Sequence, residues 1–326
     1  VDPRIGVIWA PVADLRLRAT YGQSFHAPGL NQLLGLESIS PINLTLAGAQ
    51  VLTLSRQGGN ISLQPETADS WTAGVDYRPH WSPGLHLSLT WFDTDYKNRI
   101  SRPVNENLDG ALEDPRFVAF VQRISPATNA ADLALIRDLL ARPNATAGAG
   151  LNPAASYVAI VDLRNVNTGE LHVRGLDLQL DQTLPAFGGS LSLRANATRL
   201  LTYDQRLTPT ASASDLLGLV TFPAKLRGRF AADWTRGRLG AGVAVNYLSS
   251  FHTPLGARIS GQTTVDLQLR AKASEGRFEG ATVSLSVRNL FDKAPPFYDN
   301  PFGDAYDCGK AIFIGRFITI QLTKSW

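Results

Sequence analysis

Two serine–histidine pairs are the residues whose types and spacing come nearest to hydrolytic chemistry. Ser24 stands two positions before His26, and Ser250 stands two positions before His252. A serine nucleophile needs a base within hydrogen-bonding reach and an acid that orients the base. Side chains two apart on a strand share a face but are poorly placed for proton transfer, and no orienting acid is evident. The sequence therefore predicts that the chain is not an enzyme.

A short acidic segment near the end of the sequence offers the oxygen atoms that a hard cation prefers. It consists of Asp304, Tyr306 and Asp307, although such groups are more often solvated loop residues. The histidines are widely spaced, and the single cysteine, Cys308, excludes an internal disulfide and a CxxC metal site. We therefore expect no metal site and no cofactor. The candidates for contact with a small-molecule ligand are His26, His252, Tyr298, Asp304, Tyr306 and Asp307.

Composition argues against two further classes of protein. The formal net charge of +3 over 326 residues is too small to indicate a nucleic-acid partner. No run approaches the ~18 consecutive apolar residues that a membrane helix needs. The sequence contains no methionine and opens directly on a predicted strand, so we expect it to be an excerpt of a longer protein or a processed product.

The elements that position these residues are strands, because apolar and polar residues alternate with a period of two along much of the chain. Within residues 265–272, valine, leucine and alanine face one way, while Asp266, Gln268, Arg270 and Lys272 face the other. This alternation predicts an all-β protein. The eleven predicted strands cover residues 3–10, 14–23, 66–79, 84–100, 169–184, 189–203, 222–236, 238–251, 262–274, 280–291 and 315–326.

The connections between the predicted strands alternate between short and long. Short turns at one end and long loops at the other are typical of a transmembrane barrel with periplasmic turns and extracellular loops. We therefore predict an antiparallel up-and-down transmembrane β-barrel. Eleven strands are half of twenty-two, the number in plugged outer-membrane transporters. Residues 1–326 are accordingly expected to form the C-terminal half of such a barrel.

Three local features are predicted within this barrel. A change of parity in the fifth strand indicates a β-bulge at Gly175. Residues 131–142 favour a short helix in the longest loop, capped by Asn129 and ended by Pro143, with an irregular alanine-rich loop as the alternative. Aromatic residues near strand ends favour girdles at the membrane interfaces, with ordinary strand composition as the alternative. They are Tyr21, Trp71, Tyr77, Trp91, Trp234, Tyr247 and Phe251.

Five short motifs resemble those of TonB-dependent outer-membrane receptors, in the order in which that family carries them. Residues 24–28 (SFHAP) resemble its FRAP segment, with His26 in place of arginine. Residues 63–67 (LQPET) resemble its L-x-P-E-x strand start, and residues 174–177 (RGLD) resemble its R-G-[VLI]-E strand. Residues 288–292 (RNLFD) resemble its N-L-F-D motif, and residues 315–317 (GRF) open the final strand as in that family. Together they extend over nearly the whole chain.

The last predicted strand ends on Trp326, with Ile320 and Leu322 on the same face. The resemblance implies that these three residues form the signal read by the outer-membrane assembly machinery. Lys324 departs from the apolar residue that is usual at its position.

The resemblance implies a plugged barrel in the outer membrane of a Gram-negative bacterium. Such a receptor imports a scarce nutrient, first of all a ferric siderophore, with energy supplied through TonB. The implied partners are the protein's own N-terminal plug and first barrel half, the TonB energy-coupling complex, the assembly machinery, the lipid bilayer and a small-molecule chelate. A corrinoid or a carbohydrate is an alternative substrate. A passive porin and a soluble all-β protein are alternative classes, disfavoured by the odd strand count and the terminal tryptophan respectively.

Basic side chains outnumber acidic ones on the face that the alternation predicts to be inward. The acidic residues found there are Asp76, Asp233 and Asp266. Such a field favours an anionic ligand or an acidic plug surface. Contact with the plug is the preferred interpretation, because the family's plug fills most of the lumen. The predicted lumen-facing basic residues are Arg16, Arg18, Arg78, Arg194, Lys225, Arg227, Arg229, Arg270, Lys272 and Arg288.

Overall fold

The computed structural model describes residues 2–299 and 305–324, which are mostly strand. The helices are α1 (Leu30–Leu34), α2 (Ala130–Ala141) and α3 (Ala147–Gly150), with 3-10 turns at Pro103–Asn107, Pro115–Phe120, Ala154–Ser156 and Gly276–Phe278. The strands are β1 (Arg4–Val12), β2 (Leu15–His26), β3 (Ser38–Leu46), β4 (Ala49–Gln57), β5 (Glu66–Tyr77), β6 (Leu85–Ser101), β7 (Val121–Arg123), β8 (Ala159–Asp162), β9 (Val166–Ala186), β10 (Gly189–Arg206), β11 (Ser214–Asp215), β12 (Leu226–Arg236), β13 (Leu239–Leu248), β14 (Phe251–His252), β15 (Arg258–Ile259), β16 (Gln262–Lys272), β17 (Ala281–Arg288) and β18 (Phe317–Lys324).

One large antiparallel sheet contains all eleven predicted strands, in the order β1-β2-β5-β6-β9-β10-β12-β13-β16-β17-β18, with β11 added beside β10. Each strand of this sheet pairs with the strand of the same sheet that follows it in the chain. The topology is therefore up-and-down, as predicted. Among the described residues, β1 and β18 each pair on one side only, and the sheet does not close on itself. We call the end with short connections the turn end and the opposite end the loop end.

The large sheet has one apolar and one polar face. Residues paired across strands share a face, and one such row runs Leu17, Val75, Leu89, Leu178 and Ala197. The adjacent row on the other face runs Arg16, Asp76, Ser88, Gln179 and Asn196. Leu89 and Leu178 remain 43% and 38% exposed, because no second layer formed by the described residues covers the apolar face.

The predicted β-bulge at Gly175 is wrong. Strand β9 runs through Gly175 without a register shift against β6, so Leu171 and Val173 lie on the polar face. The irregularity is instead on β10, where Leu201 is the extra residue between Leu200 and Thr202. Gly175 lacks a side chain for a different reason, since a Cβ there would lie 2.6 Å from Cζ of Phe92.

Two long loops, residues 27–65 and 102–165, fold together into a second sheet that the sequence did not predict. Its order is β3-β4-β8-β7, and we call it the cap sheet. Strands β3 and β4 form a hairpin through Ala47 and Gly48, whose positive φ angles of 50° and 76° are those of a type I′ turn. The two loops are joined by the parallel pairing of β4 with β8, from Thr53–Ala159 to Arg56–Asp162.

The interior of the protein lies mainly in these loops. One cluster brings Ile39 and Leu54 of the first loop against Ile136, Leu139 and Tyr157 of the second. The predicted helix is confirmed as α2, and the side chain of Asn129 caps it by accepting from the backbone N–H groups of Ala131 and Asp132. Among the described residues, no helix is both long enough and apolar enough to cross a membrane.

Phe251 does not belong to an aromatic girdle and corrects that prediction. It is fully buried in a small loop cluster with Val220, Leu248 and Ile259. The seventh predicted strand also begins later than expected, at Leu226 rather than at residue 222, because the residues before it fold into this loop region. Tyr21 and Trp71, by contrast, pack against each other near the loop end, with ring centroids 4.5 Å apart.

Candidate functional site

The polar face of the large sheet carries the predicted basic residues. In the strand register, Arg16 lies in one row with Arg229, Arg18 in one row with Arg227, and Arg194 in one row with Asp266, so these residues share a face of the sheet. Arg270 and Arg288 occupy the same face of β16 and β17. The alternation of the sequence was therefore sufficient to assign their orientation.

The polar face is less basic than the sequence indicated. Asp177 and Asp181 of β9 lie on it, in the rows of Thr198 and Arg194. His86 joins them, with its ring nitrogens 3.8 Å from Asp76 and 4.0 Å from Asp181. Neither aspartate was predicted, although the alternation of Leu176, Leu178 and Leu180 along the same strand is sufficient to place both on the polar face.

Three of the arginines are held by carboxylates of neighbouring strands. Arg18 lies 3.3 Å from Asp76, and it also donates to Ser88 and Thr90. Arg194 donates to Asp233 at 2.6 Å, and Arg229 donates to Asp266 at 3.0 Å. Arg270 and Arg288 form no ion pair with a described carboxylate, so their charge is available to another molecule or domain. Arg16, in contrast, lies opposite Asp76 in the strand register.

Two adjoining cavities run along this face between β10 and β17. The first has a volume of about 490 Å³ and is lined by Arg194, Asp233, Asp266 and Arg288. The second, of about 480 Å³, is lined by Arg227, Asn246, Gln262 and Lys310. Both include Asn196 and Arg229, and we call the two together the polar-face groove.

The segment 305–316 covers the end of the groove nearest the loops. Nη2 of Arg227 donates to the backbone carbonyl of Lys310 at 2.9 Å. The side-chain amide of Gln262 bonds both the N–H and the C=O of Ile312, at 2.8 and 2.9 Å. The segment is thus tied to the polar face itself rather than extending away from the sheet.

A buried ion pair fixes the same segment to the loop before β12. The ammonium group of Lys310 lies 2.8 Å from Asp307, donates to the carbonyl of Leu219 and sits 4.5 Å above the ring of Phe251. Asp307 also accepts from the backbone N–H of Thr221 at 2.8 Å. Both charged side chains are about 5% exposed or less.

Burial and hydrogen bonding act in opposite directions on Asp307. Burial alone would raise the pKa of its carboxyl group, but the bonds from Lys310 and Thr221 outweigh this, and the pKa is lowered. Burial also lowers the pKa of Lys310, opposed by its bond to Asp307. The carboxylate of Asp307 is therefore ionised and engaged inside the loop, and it does not face the groove.

The predicted ligand-contact residues are only partly brought together. His252 and Tyr298 lie around the same loop cluster as Asp307, and Tyr306 stacks on Phe313 with ring centroids 5.9 Å apart. His26 lies far along the sheet on β2, where it is exposed and 3.1 Å from Glu66. Asp304 lies outside the described residues, so the proposed oxygen group of residues 304–307 is not seen as a whole.

The predicted assembly signal falls at the edge of the sheet. Ile320 and Leu322 lie on the apolar face of β18 and are 73% and 72% exposed. Trp326 lies outside the described residues.

Two groups of interacting residues were not predicted from the sequence. Gln262 gave no local signal, because its partner Ile312 is far away in the chain. Lys310 pairs with nearby Asp307, but the burial of this pair depends on the distant residues Leu219 and Phe251. Asp93, Asp95 and His172 form a group whose ligand atoms lie within 4.8 Å of one another. They stand on the apolar face near the loop end, and a 3.0 Å contact between His172 and Asp93 accounts for much of their proximity.

The chain matches a family model described as "TonB dependent receptor-like, beta-barrel" over residues 1–290. It therefore belongs to this family of receptor barrels. In such a barrel the apolar face of the sheet meets lipid and the polar face lines the interior.

Solved structures show the same fold. A mutant of the ferric enterobactin receptor PfeA from Pseudomonas aeruginosa has a TM-score of 0.62 and 21% identity, covering 100% of this chain and 40% of that one. The siderophore receptor PirA from Acinetobacter baumannii has a TM-score of 0.62 and 17% identity, covering 100% and 41%. The copper transporter OprC has a TM-score of 0.53 and 13% identity, covering 99% and 39%. The chain thus spans about 40% of the length of these proteins.

Proposed function

We propose that this chain is the C-terminal part of an active-uptake receptor in the outer membrane of a Gram-negative bacterium, and that the receptor imports a ferric siderophore. Membership of the TonB-dependent receptor family is the observation that carries the proposal. The similarity to PfeA and PirA supports the substrate class, since PfeA is named as a ferric enterobactin receptor and PirA as a siderophore receptor.

The polar-face groove would form part of the interior of the complete barrel. The preferred role of its arginines is contact with the protein's own N-terminal plug, and the alternative role is to guide an anionic chelate. Both would use charge-assisted hydrogen bonds. Arg270 and Arg288 fit these roles best because no described carboxylate forms an ion pair with them. At the loop end, His26, His252, Tyr298, Asp304 and Tyr306 remain the proposed ligand contacts. Asp307 is corrected from a ligand contact to a buried residue that holds the segment 305–316, because its carboxylate is engaged by Lys310 and Thr221.

The remaining partners follow from the same proposal. The TonB energy-coupling complex would move the plug, and the lipid bilayer would cover the apolar face. The outer-membrane assembly machinery would read Trp326, Leu322 and Ile320.

Uptake by cells tests this function. The complete gene product would be produced in a Gram-negative host that lacks its own chelate receptors, and labelled ferric siderophores, corrinoids and copper would be supplied with and without a protonophore. We expect accumulation of one ferric siderophore that stops when the proton-motive force is collapsed. Equal passage in de-energised cells would contradict active uptake and favour a porin, while energy-dependent uptake of only a corrinoid or copper would contradict the siderophore assignment.

A charge-neutralising pair of variants tests the role of the groove. Arg288→Gln removes an unpaired charge from the polar face, whereas Arg236→Gln removes one at the turn end of the same sheet. If the groove guides an anionic chelate or holds the plug, Arg288→Gln lowers the uptake rate several-fold and Arg236→Gln leaves it unchanged. Equal rates for the two variants and the unaltered protein would remove Arg288 from the proposal.

A further inference from the structure

Two arginines stand on the apolar face of adjacent strands at the point where apolar residues end. On β9, Arg174 is the first charged residue of that face toward the loop end, and on β10 the same position is held by Arg199. Both side chains are exposed. The apolar-face residues that precede them from the turn end are Leu180, Leu178 and Leu176 on β9, and Leu193, Ala195 and Ala197 on β10.

The two arginines are neighbours across the strand pair. Arg199 pairs with Leu176, and Arg174 pairs with Thr202, so the arginines occupy a diagonal position. Side chains in such positions have Cβ atoms about 7–8 Å apart, within the reach of two long arginines. Nη2 of Arg174 donates to Oγ1 of Thr202 at 3.1 Å, which keeps its guanidinium group on this side of the sheet.

Two carboxylates, Asp93 and Asp95, lie on the same face beside Arg174, but neither is paired with an arginine. Asp93, the register partner of Arg174, is bonded instead to His172 at 3.0 Å. No described carboxylate forms an ion pair with Arg174 or Arg199. Further toward the loops, in contrast, Arg206 pairs with Glu170 and Lys97 with Asp69, each at 3.0 Å.

An unpaired arginine at the edge of an apolar surface needs an anionic or polar partner, because a guanidinium group is poorly accommodated by hydrocarbon. Its long side chain reaches from the apolar region to the headgroups, and its planar donors match the oxygens of a phosphate. Trp91, the register partner of Leu176, places an amphipathic ring beside the pair, as is typical of a membrane interface.

We infer that Arg174 and Arg199 together bind the phosphate of a phosphorylated lipid headgroup in the outer leaflet of the membrane. The occupant is a lipid rather than free phosphate because the guanidinium groups directly adjoin the leucine and alanine rows, which the acyl chains of the same molecule would cover. The inference rests on the proposed membrane location, but not on which nutrient the receptor imports.

The test counts lipids bound to the complete gene product, purified from outer membranes in mild detergent, by native mass spectrometry. The probes are bisphosphorylated lipid A, the same lipid A after enzymatic dephosphorylation, and inorganic phosphate as a competitor. The variants are Arg174→Gln/Arg199→Gln and, as the matched control, Arg236→Gln at the turn end. Mobility of unheated and heated samples on gels confirms that each variant is folded.

We expect the double variant to bind bisphosphorylated lipid A roughly tenfold more weakly, which is the loss expected for two solvent-exposed charge pairs, with the Arg236→Gln variant unchanged. Dephosphorylated lipid A should bind weakly and equally to all three proteins. Equal binding of phosphorylated lipid by the double variant would overturn the site. Displacement of the lipid by millimolar inorganic phosphate would overturn the lipid assignment. Failure of the proposed membrane location is a separate result, seen as absence of the protein from the outer-membrane fraction.

Discussion

The Lys310–Asp307 pair places two opposite charges where solvent screens them little. Such pairs contribute modestly as a whole, because desolvation offsets their attraction, but removing one partner leaves a buried charge without compensation. The pair connects the segment 305–316 to the loop before β12 and to the ring of Phe251. At the residue scale, therefore, Lys310 is the side chain on which closure of the polar-face groove depends most.

The Lys310→Met variant should release the segment from the groove. Breaking a buried pair typically costs about 3–5 kcal/mol, which is large for a loop. A nitroxide attached to Cys308, which is exposed, would report the change as increased mobility in the electron paramagnetic resonance spectrum. The Cys308→Ser variant gives the labelling blank.

Lys293→Met is the matched control, because Lys293 is an exposed lysine of the same connection. The Asp307→Asn/Lys310→Met variant should recover part of the lost order, since it removes both charges. Unchanged label mobility in Lys310→Met would show that Arg227 and Gln262 hold the segment without the ion pair.

The orientation of the arginines could be predicted from the sequence, but their partners could not. Side-chain orientation follows from parity along one strand, which is local information. The ion pair of Arg194 with Asp233 depends on the register between β10 and β12, and the burial of Asp307 depends on residues near 220 and 251. This ion pair and this burial are set by packing between distant segments, so no local sequence pattern predicts them.

At the scale of elements, the cap sheet joins two loops into one folded unit. Strand β4 belongs to the first loop and β8 to the second, and their pairing is parallel. Helix α2 could be predicted because its cap and its periodicity are local features of the sequence. The hairpin of β3 and β4 could not, because β3 contains Pro41 and the turn has alanine, an unusual residue, at its first position. The parallel pairing across about a hundred residues had no local signal.

Leu54→Ala should unfold the cap sheet as a whole. Leu54 is fully buried among residues of both loops, and such truncations cost about 2–5 kcal/mol. Hydrogen exchange followed by mass spectrometry should show faster exchange in residues 27–65 and 102–165 together. Leu36→Ala, at a residue that is 94% exposed, is the control and should change neither loop. Loss of protection in the first loop alone would show that the loops fold independently.

At the scale of the whole molecule, the main feature is the contrast between the apolar and the polar face of the large sheet. Within the part of the chain that the structure describes, no protein layer covers the apolar face, and the polar face is crossed by ion pairs and a groove. A free sheet of this kind would expose both a long apolar surface and two unpaired edges. Lipid on one side and the barrel interior on the other satisfy both faces, as expected of this receptor family.

The most direct test is to measure which face of β9 contacts lipid. Single cysteines would replace Leu178, Gln179, Leu180 and Asp181 in a Cys308→Ser background of the complete gene product, each carrying a fluorescent label in vesicles that contain brominated lipid. We predict strong quenching at Leu178→Cys and Leu180→Cys and little at Gln179→Cys and Asp181→Cys. Quenching that is equal at all four positions, or strongest at Gln179→Cys and Asp181→Cys, would contradict the assignment of the sheet as a membrane barrel wall.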